Sequence, residues 1–170
     1  MDTNRIKVIV IGLGNPICGD DGLGWHVIEY LTTATLPVTL QNLDIKFECF
    51  AEGGLRLMEL MIGYDVAVII DSITTHKYPL GSVTCLELDD LPNLSAEHST
   101  SPHNTSLQTS LHLGKALGLH LPIKVHIIGV EAQNLYEFSE VLSPVIQAAI
   151  PIAANEVIQL LKNISIEYSN

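Results

Sequence analysis

The chain has 170 residues, 47% of them hydrophobic and only 16% charged, and 19 acidic against 8 basic side chains give a formal charge of −11. That length suits one domain, 1–170, able to bury a full hydrophobic core, and the mixture argues against disorder. So negative a surface repels phosphate backbones, which argues against a nucleic-acid partner and suits a metal cation or a basic protein segment.

Ile6 to Leu13 reads IKVIVIGL, a β-branched run closed by glycines, and predicts a buried strand. A loop follows from Gly14 to Gly22, and apolar residues at 23, 27, 28 and 31 then mark one helical face over Leu23–Leu31. Ile45–Phe50 reads as a second strand and Leu55–Ile62 as a short helix after Gly53-Gly54. Asp65–Ile70 is a third strand that delivers Asp71 at its carboxyl end. Val83–Leu88 is a fourth, expected to run antiparallel to its neighbour because the connection from Asp71 is too short for a helical crossover.

Asp89–Asn104, with Pro92 and Pro102, reads as an irregular loop, and Thr105–Leu117 as a helix closed near Gly118. Ile123–Gly129 is the last strand. Ser139–Leu161 is a long helix that Ser139 can cap and that Pro144 and Pro151 can delay or kink. This alternation predicts an α/β fold: a three-layer, doubly wound, mostly parallel twisted sheet with helices on both faces. Three widely spaced cysteines, Cys18, Cys49 and Cys85, without a C-x-x-C pair, argue against a cysteine-based zinc site and for a reducing, cytoplasmic setting. Met1–Val10 runs straight into a strand without a basic region, and no apolar run of membrane length is read, so a soluble protein is expected.

In open α/β sheets ligands sit beyond the carboxyl ends of the strands. Asp20-Asp21 and Asp71 fall there, and the loop before the Thr105 helix adds His103. Two carboxylates and an imidazole suit a borderline divalent ion. Each residue alone has a plainer reading: either aspartate of the pair could cap the following helix, Asp71 could sit in a turn, and a lone histidine is usually an ordinary surface or core residue. Spacing alone leaves the two readings balanced. Gly12-x-Gly14 after a strand also suggests a dinucleotide loop, but Ile17 stands where a third glycine is needed, and two aspartates face the place of the pyrophosphate.

The run Gly12-Leu13-Gly14-Asn15-Pro16-Ile17-Cys18-Gly19-Asp20-Asp21-Gly22-Leu23-Gly24 resembles the G-x-G-N-x-x-x-x-D-[DE]-G-x-G signature of hydrogenase maturation endopeptidases. Val68-Ile69-Ile70-Asp71-Ser72 is similar to the strand of that family that ends in aspartate, and Ser101-Pro102-His103 to its histidine loop. The resemblance implies that Asp21, Asp71 and His103 hold a divalent metal, nickel supplied by the substrate. It further implies that the substrate is a nickel-iron hydrogenase large-subunit precursor, which loses a C-terminal extension after nickel insertion, and that the enzyme is a monomer. Asn15, Asp20 and Glu52 are then expected to contact substrate. Asp20 has helix capping as its alternative, and Glu52 a solvated loop position. His98 is an alternative ligand to His103, and Cys18 either a soft ligand or a small packed side chain. Where the family carries D-G-G-T-x-G, this chain has Cys49-Phe50-Ala51-Glu52-Gly53-Gly54, which leaves the particular hydrogenase open. Two other functions fit less well. A nickel-binding maturation chaperone would use the same ligands without cutting. A peptidyl-tRNA hydrolase would need a basic face that eight Lys and Arg are poorly placed to build.

Overall fold

The computed structural model describes residues 5–88, 102–133, 135 and 138–169, with the side chains of 102–106 excepted. β1 (Ile6–Leu13) leads through a 3-10 turn at Gly19–Gly22 into α1 (Leu23–Thr33). β2 (Leu43–Phe50) and α2 (Gly54–Leu60) follow, then β3 (Val66–Ile73), β4 (Val83–Glu87), α3 (Pro102–Ala116), β5 (Lys124–Glu131) and α4 (Pro144–Glu167). The five strands lie in the order β2-β1-β3-β5-β4. All the pairings are parallel except β4 with β5, which is antiparallel as the short connection requires.

Every residue of β3 is buried, as expected of a central parallel strand covered on both sides. Alternation along the strands divides the core in two. Val8 and Val10 of β1 and Val66, Val68 and Ile70 of β3 pack against Leu23, Val27 and Leu31 of α1 and Ile146, Ala149 and Val157 of α4. On the other face Ile9, Ile11, Ala67 and Ile69 meet Leu57 and Met58 of α2 and Leu107 and Leu111 of α3. The molecule is therefore three-layered, with α1 and α4 on one side of the sheet and α2 and α3 on the other.

Several boundaries depart from the sequence reading, three of them near the site. The last helix starts at Pro144 rather than Ser139, with Ser143 in an extended conformation as its N-cap. Proline disfavours helical geometry in the residue before it and fits the first helical position, where its missing N–H costs nothing. α3 begins at Pro102, ahead of Thr105. β3 continues through Asp71 to Ile73 because β5 pairs with it that far, whereas pairing with β1 stops at Gly12↔Ile70. α4 is long and apolar enough to cross a membrane by length and composition alone. Its inner face, from Ile146 to Ile164, is part of the core.

The first turn of α1 lies directly on the sheet. A Cβ on Gly24 would stand 2.5 Å from the carbonyl oxygen of Leu13 and 2.7 Å from that of Ile70, both backbone atoms with no room to move. Gly24→Ala should therefore lower stability by about 2–4 kcal/mol, read as a fall in urea midpoint at unchanged m-value.

His126 lies buried in β5 opposite Glu87, and burial holds its imidazole below the ordinary value of 6.5. The unfolded chain takes up this proton first, so folding loses stability as pH falls through 6.5 toward the lower folded value. Urea midpoints at pH 7.5 and about pH 5.5 should accordingly differ less in His126→Phe than in the wild type.

Candidate active site at the carboxyl edge of the sheet

The loop after β1 is folded back on itself. Gly14 turns the chain with φ +128, and a Cβ there would stand 1.9 Å from the carbonyl oxygen of Asp21, so that position takes glycine alone. The N–H of Asn15 donates to Asp21 Oδ2 at 2.7 Å, the N–H of Ile17 to Asn15 Oδ1 at 3.2 Å and the N–H of Cys18 to the Asn15 carbonyl at 3.0 Å. The Asp21 carboxylate is thus held by the backbone of its own loop, and Ser72 at the end of β3 reaches its Oδ1 at 3.5 Å.

Asp20 does something else. Its Oδ1 accepts the N–H of Ser143 at 2.7 Å and its Oδ2 accepts the Ser143 hydroxyl at 3.0 Å, and the residue is 2% exposed. The cap of α1 is Gly22, without a side-chain bond. Asp20 is therefore a tether from the β1 loop to the N-cap residue of α4, where its charge also suits the positive end of the helix. Ser139 joins the same two segments through the backbone: its N–H donates to Ile17 at 3.1 Å, and its carbonyl accepts from Gly19 at 2.7 Å.

Asp71 is buried in β3, and alternation puts it on the face that carries Ala67 and Ile69, the side covered by α2 and α3. The carboxyl end of α3 is tied to the amino end of β3: Gly63 donates to His120 at 2.9 Å and Ile123 to Asp65 at 2.9 Å. α3 spans about 22 Å at 1.5 Å per residue, and the eight residues of β3 about 26 Å. The first turn of α3, with the backbone of His103, accordingly lies toward the same carboxyl edge as Asp21 and Asp71. The side chain of His103 and the whole of His98 lie outside the described residues. Among the described residues no three His, Cys, Asp or Glu side chains converge as a metal site. Glu52 stands in the exposed loop after β2, 3.6 Å from Arg56 Nε. Cys18 is half-buried in the β1 loop.

A third buried acid at this edge escaped the sequence reading. Glu131, 2% exposed at the end of β5, accepts the N–H groups of Thr75 and His76 at 2.8 Å each and the Thr75 hydroxyl at 2.7 Å. His76 takes φ 58, an uncommon left-handed backbone for a non-glycine residue. A charged residue closing the apolar run IKVHIIGVE was the available signal, as Ser-Pro at 143–144 was for the N-cap.

The model of a family described as hydrogenase maturation protease matches residues 52–160. The chain belongs to that family. It is 27% identical to the Hydrogenase 2 maturation protease of Escherichia coli over 95% of this chain and 94% of that one. It is 25% identical to the hydrogenase expression/formation protein HupD of Rhodobacter capsulatus, over 95% of this chain and 74% of that one. Among solved structures, the hydrogenase maturating endopeptidase HybD from E. coli superposes with a TM-score of 0.74 at 26% identity, covering 93% of each chain. The HybD maturation protease from Thermococcus kodakarensis shares the fold, with a TM-score of 0.68, 23% identity and 92% and 99% of the two chains covered. The family consists of endopeptidases, so the chain is a hydrolase of protein substrates.

Removing the tether isolates its contribution. Asp20→Ala leaves a buried N–H without its charged acceptor and should cost about 2–4 kcal/mol. Amide hydrogen exchange should speed up in the first turn of α4 and in residues 15–22, and Asp20→Asn, which keeps one acceptor oxygen, should recover part of the loss.

Proposed function

We propose that this endopeptidase removes a C-terminal extension from a nickel-iron hydrogenase large-subunit precursor after nickel insertion, and that Asp21, Asp71 and His103 take hold of the nickel the precursor presents. The observation that carries the reading is topological. Asp21 follows β1 and Asp71 comes just after the stretch of β3 that pairs with β1, so two carboxylates come to the carboxyl ends of adjacent parallel strands, and α3 starts at the same edge with His103 in its first turn.

The donor chemistry fits. Two carboxylates and an imidazole suit a borderline divalent ion and leave coordination positions for the substrate that brings it. The ion supplies charge to polarise the scissile carbonyl or to lower the pKa of an attacking water. The chain's own groups prepare for it. The Asn15 N–H holds the Asp21 carboxylate in one rotamer, which reduces what must be ordered when substrate arrives. Asp71 is withdrawn from solvent, so a cation meeting it does so where screening is weak. Asn15 and Glu52 stand beyond β1 and β2 at this edge, along the approach of an extended peptide. Asp20 acts one step away, by keeping the loop that bears Asp21 fastened to α4.

The test is cleavage of a purified precursor, followed by mass spectrometry. Wild-type protein should release a C-terminal peptide from nickel-loaded precursor. Nickel-free precursor should be cut at least about 100-fold more slowly, and His103→Ala should lose at least about 100-fold at unchanged circular dichroism. Normal processing by His103→Ala would remove it from the ligand set, and full-rate cleavage of nickel-free precursor would remove the metal from the mechanism. Association without any change in mass would mark a chaperone instead.

A further inference from the structure

Among the described residues, six large apolar side chains stand in water along one side of the carboxyl edge of the sheet: Ile17, Tyr78, Leu80, Phe138, Val141 and Val145, with Phe138 84% and Val141 74% exposed. They come from the segments after β1, β3 and β5 and from the start of α4, and the structure joins those segments. Ser139, beside Phe138, is bonded to Ile17 and Gly19 through the backbone. Gly81, beside Leu80, packs so closely on α4 that a Cβ there would stand 3.2 Å from Val145 Cγ2. Single exposed apolar residues are ordinary, but a set gathered from separate loops into one rim marks an interface.

The rim is built in advance. The arm that carries Tyr78 and Leu80 is fastened at its base by Glu131, which accepts from Thr75 and His76. It is fastened again where Gly81 donates to the Glu131 carbonyl at 2.8 Å and where Glu131 donates to Ser82 at 2.9 Å. On the other side, the segment bearing Phe138 and Val141 is anchored at Ser139 and Ser143, the two residues bonded to the β1 loop. A surface fixed in this way loses little conformational freedom on docking.

Its position selects the occupant. The rim runs beside the edge where Asp21 and Asp71 lie, and the hydrogen bonds that hold one side of it are those that hold the Asp21 loop. A second copy of this chain seated there would cover the site, whereas a protein substrate seated there would feed it. We propose that this rim is the docking surface for an apolar patch on the folded body of the large-subunit precursor, next to the segment that enters the site. The inference rests on the precursor being the substrate, as set out under Proposed function.

The experiment measures binding and cleavage separately, with nickel-loaded precursor and four proteins: wild type, Leu80→Asp, Val141→Asp, and Ile123→Asp as an exposed apolar control at the opposite, amino edge of the sheet. Leu80→Asp and Val141→Asp should each weaken binding and raise KM at least about 10-fold, with turnover at saturation changed less than about 2-fold, while Ile123→Asp matches the wild type. Cleavage with unchanged KM in both rim variants overturns the docking surface and leaves the proteolytic reading standing. Rim-dependent binding without cleavage by the wild type does the reverse. A wild-type dimer in sedimentation that Leu80→Asp converts to monomer would make the rim a contact between copies and overturn the proposal.

Discussion

The amino end of α1 sits on the ends of β1 and β3 with no side chain between, and the rest of the site depends on that contact. A Cβ on Gly12 would stand 2.2 Å from the carbonyl oxygen of Gly24, and one on Gly24 would strike the backbone of both strands. Two glycines, one at the end of the strand and one at the start of the helix, permit the approach. It forces the intervening residues into a tight loop that leaves the strand at Gly14 and returns at Gly22. Asp21 is carried on that loop, and its carboxylate is held by the N–H of Asn15 within the same turn. The long glycine-punctuated run is thus a description of backbone clearance as well as of chemistry.

Buried carboxylates are the second theme of this edge. Asp20, Asp71 and Glu131 are each 2% exposed. Burying a carboxylate is costly unless donors surround it. Asp20 and Glu131 meet that requirement with backbone N–H groups and hydroxyls, and each fastens a loop in doing so: Asp20 ties the β1 loop to α4, and Glu131 shapes the start of the β3–β4 connection. In a protein carrying −11 charges, acids serve here as structural acceptors beside the aspartates proposed for the metal.

Much of the fold was legible in the sequence because its signals are local. Uninterrupted β-branched runs gave away β1 and β3, apolar spacing marked α1, and a connection too short for a helix foretold the antiparallel β4. α4 starts at Pro144 rather than Ser139 because Pro144 delays it, holding Ser143 in extended backbone, a stronger local constraint than the capping capacity of Ser139. The site was legible in part. The glycine-rich run and the strand-end aspartate pointed to the carboxyl edge of the sheet, where Asp21 and Asp71 stand. The partner of Asp20 was hidden because Ser143 lies 123 positions away, and no local pattern reports a bond of that span.

The sequence by itself determined the order and kind of the elements, the glycines that allow helix and strand to touch, and the presence of acidic residues at the ends of β1 and β3. Those properties follow from backbone sterics and side-chain period, which act between near neighbours. Only the tertiary structure decided which acid faces a helix terminus, which one shapes a loop, and that six apolar side chains from distant segments stand along one rim. Those outcomes depend on strand order and crossover, which bring together atoms that no sequence interval connects.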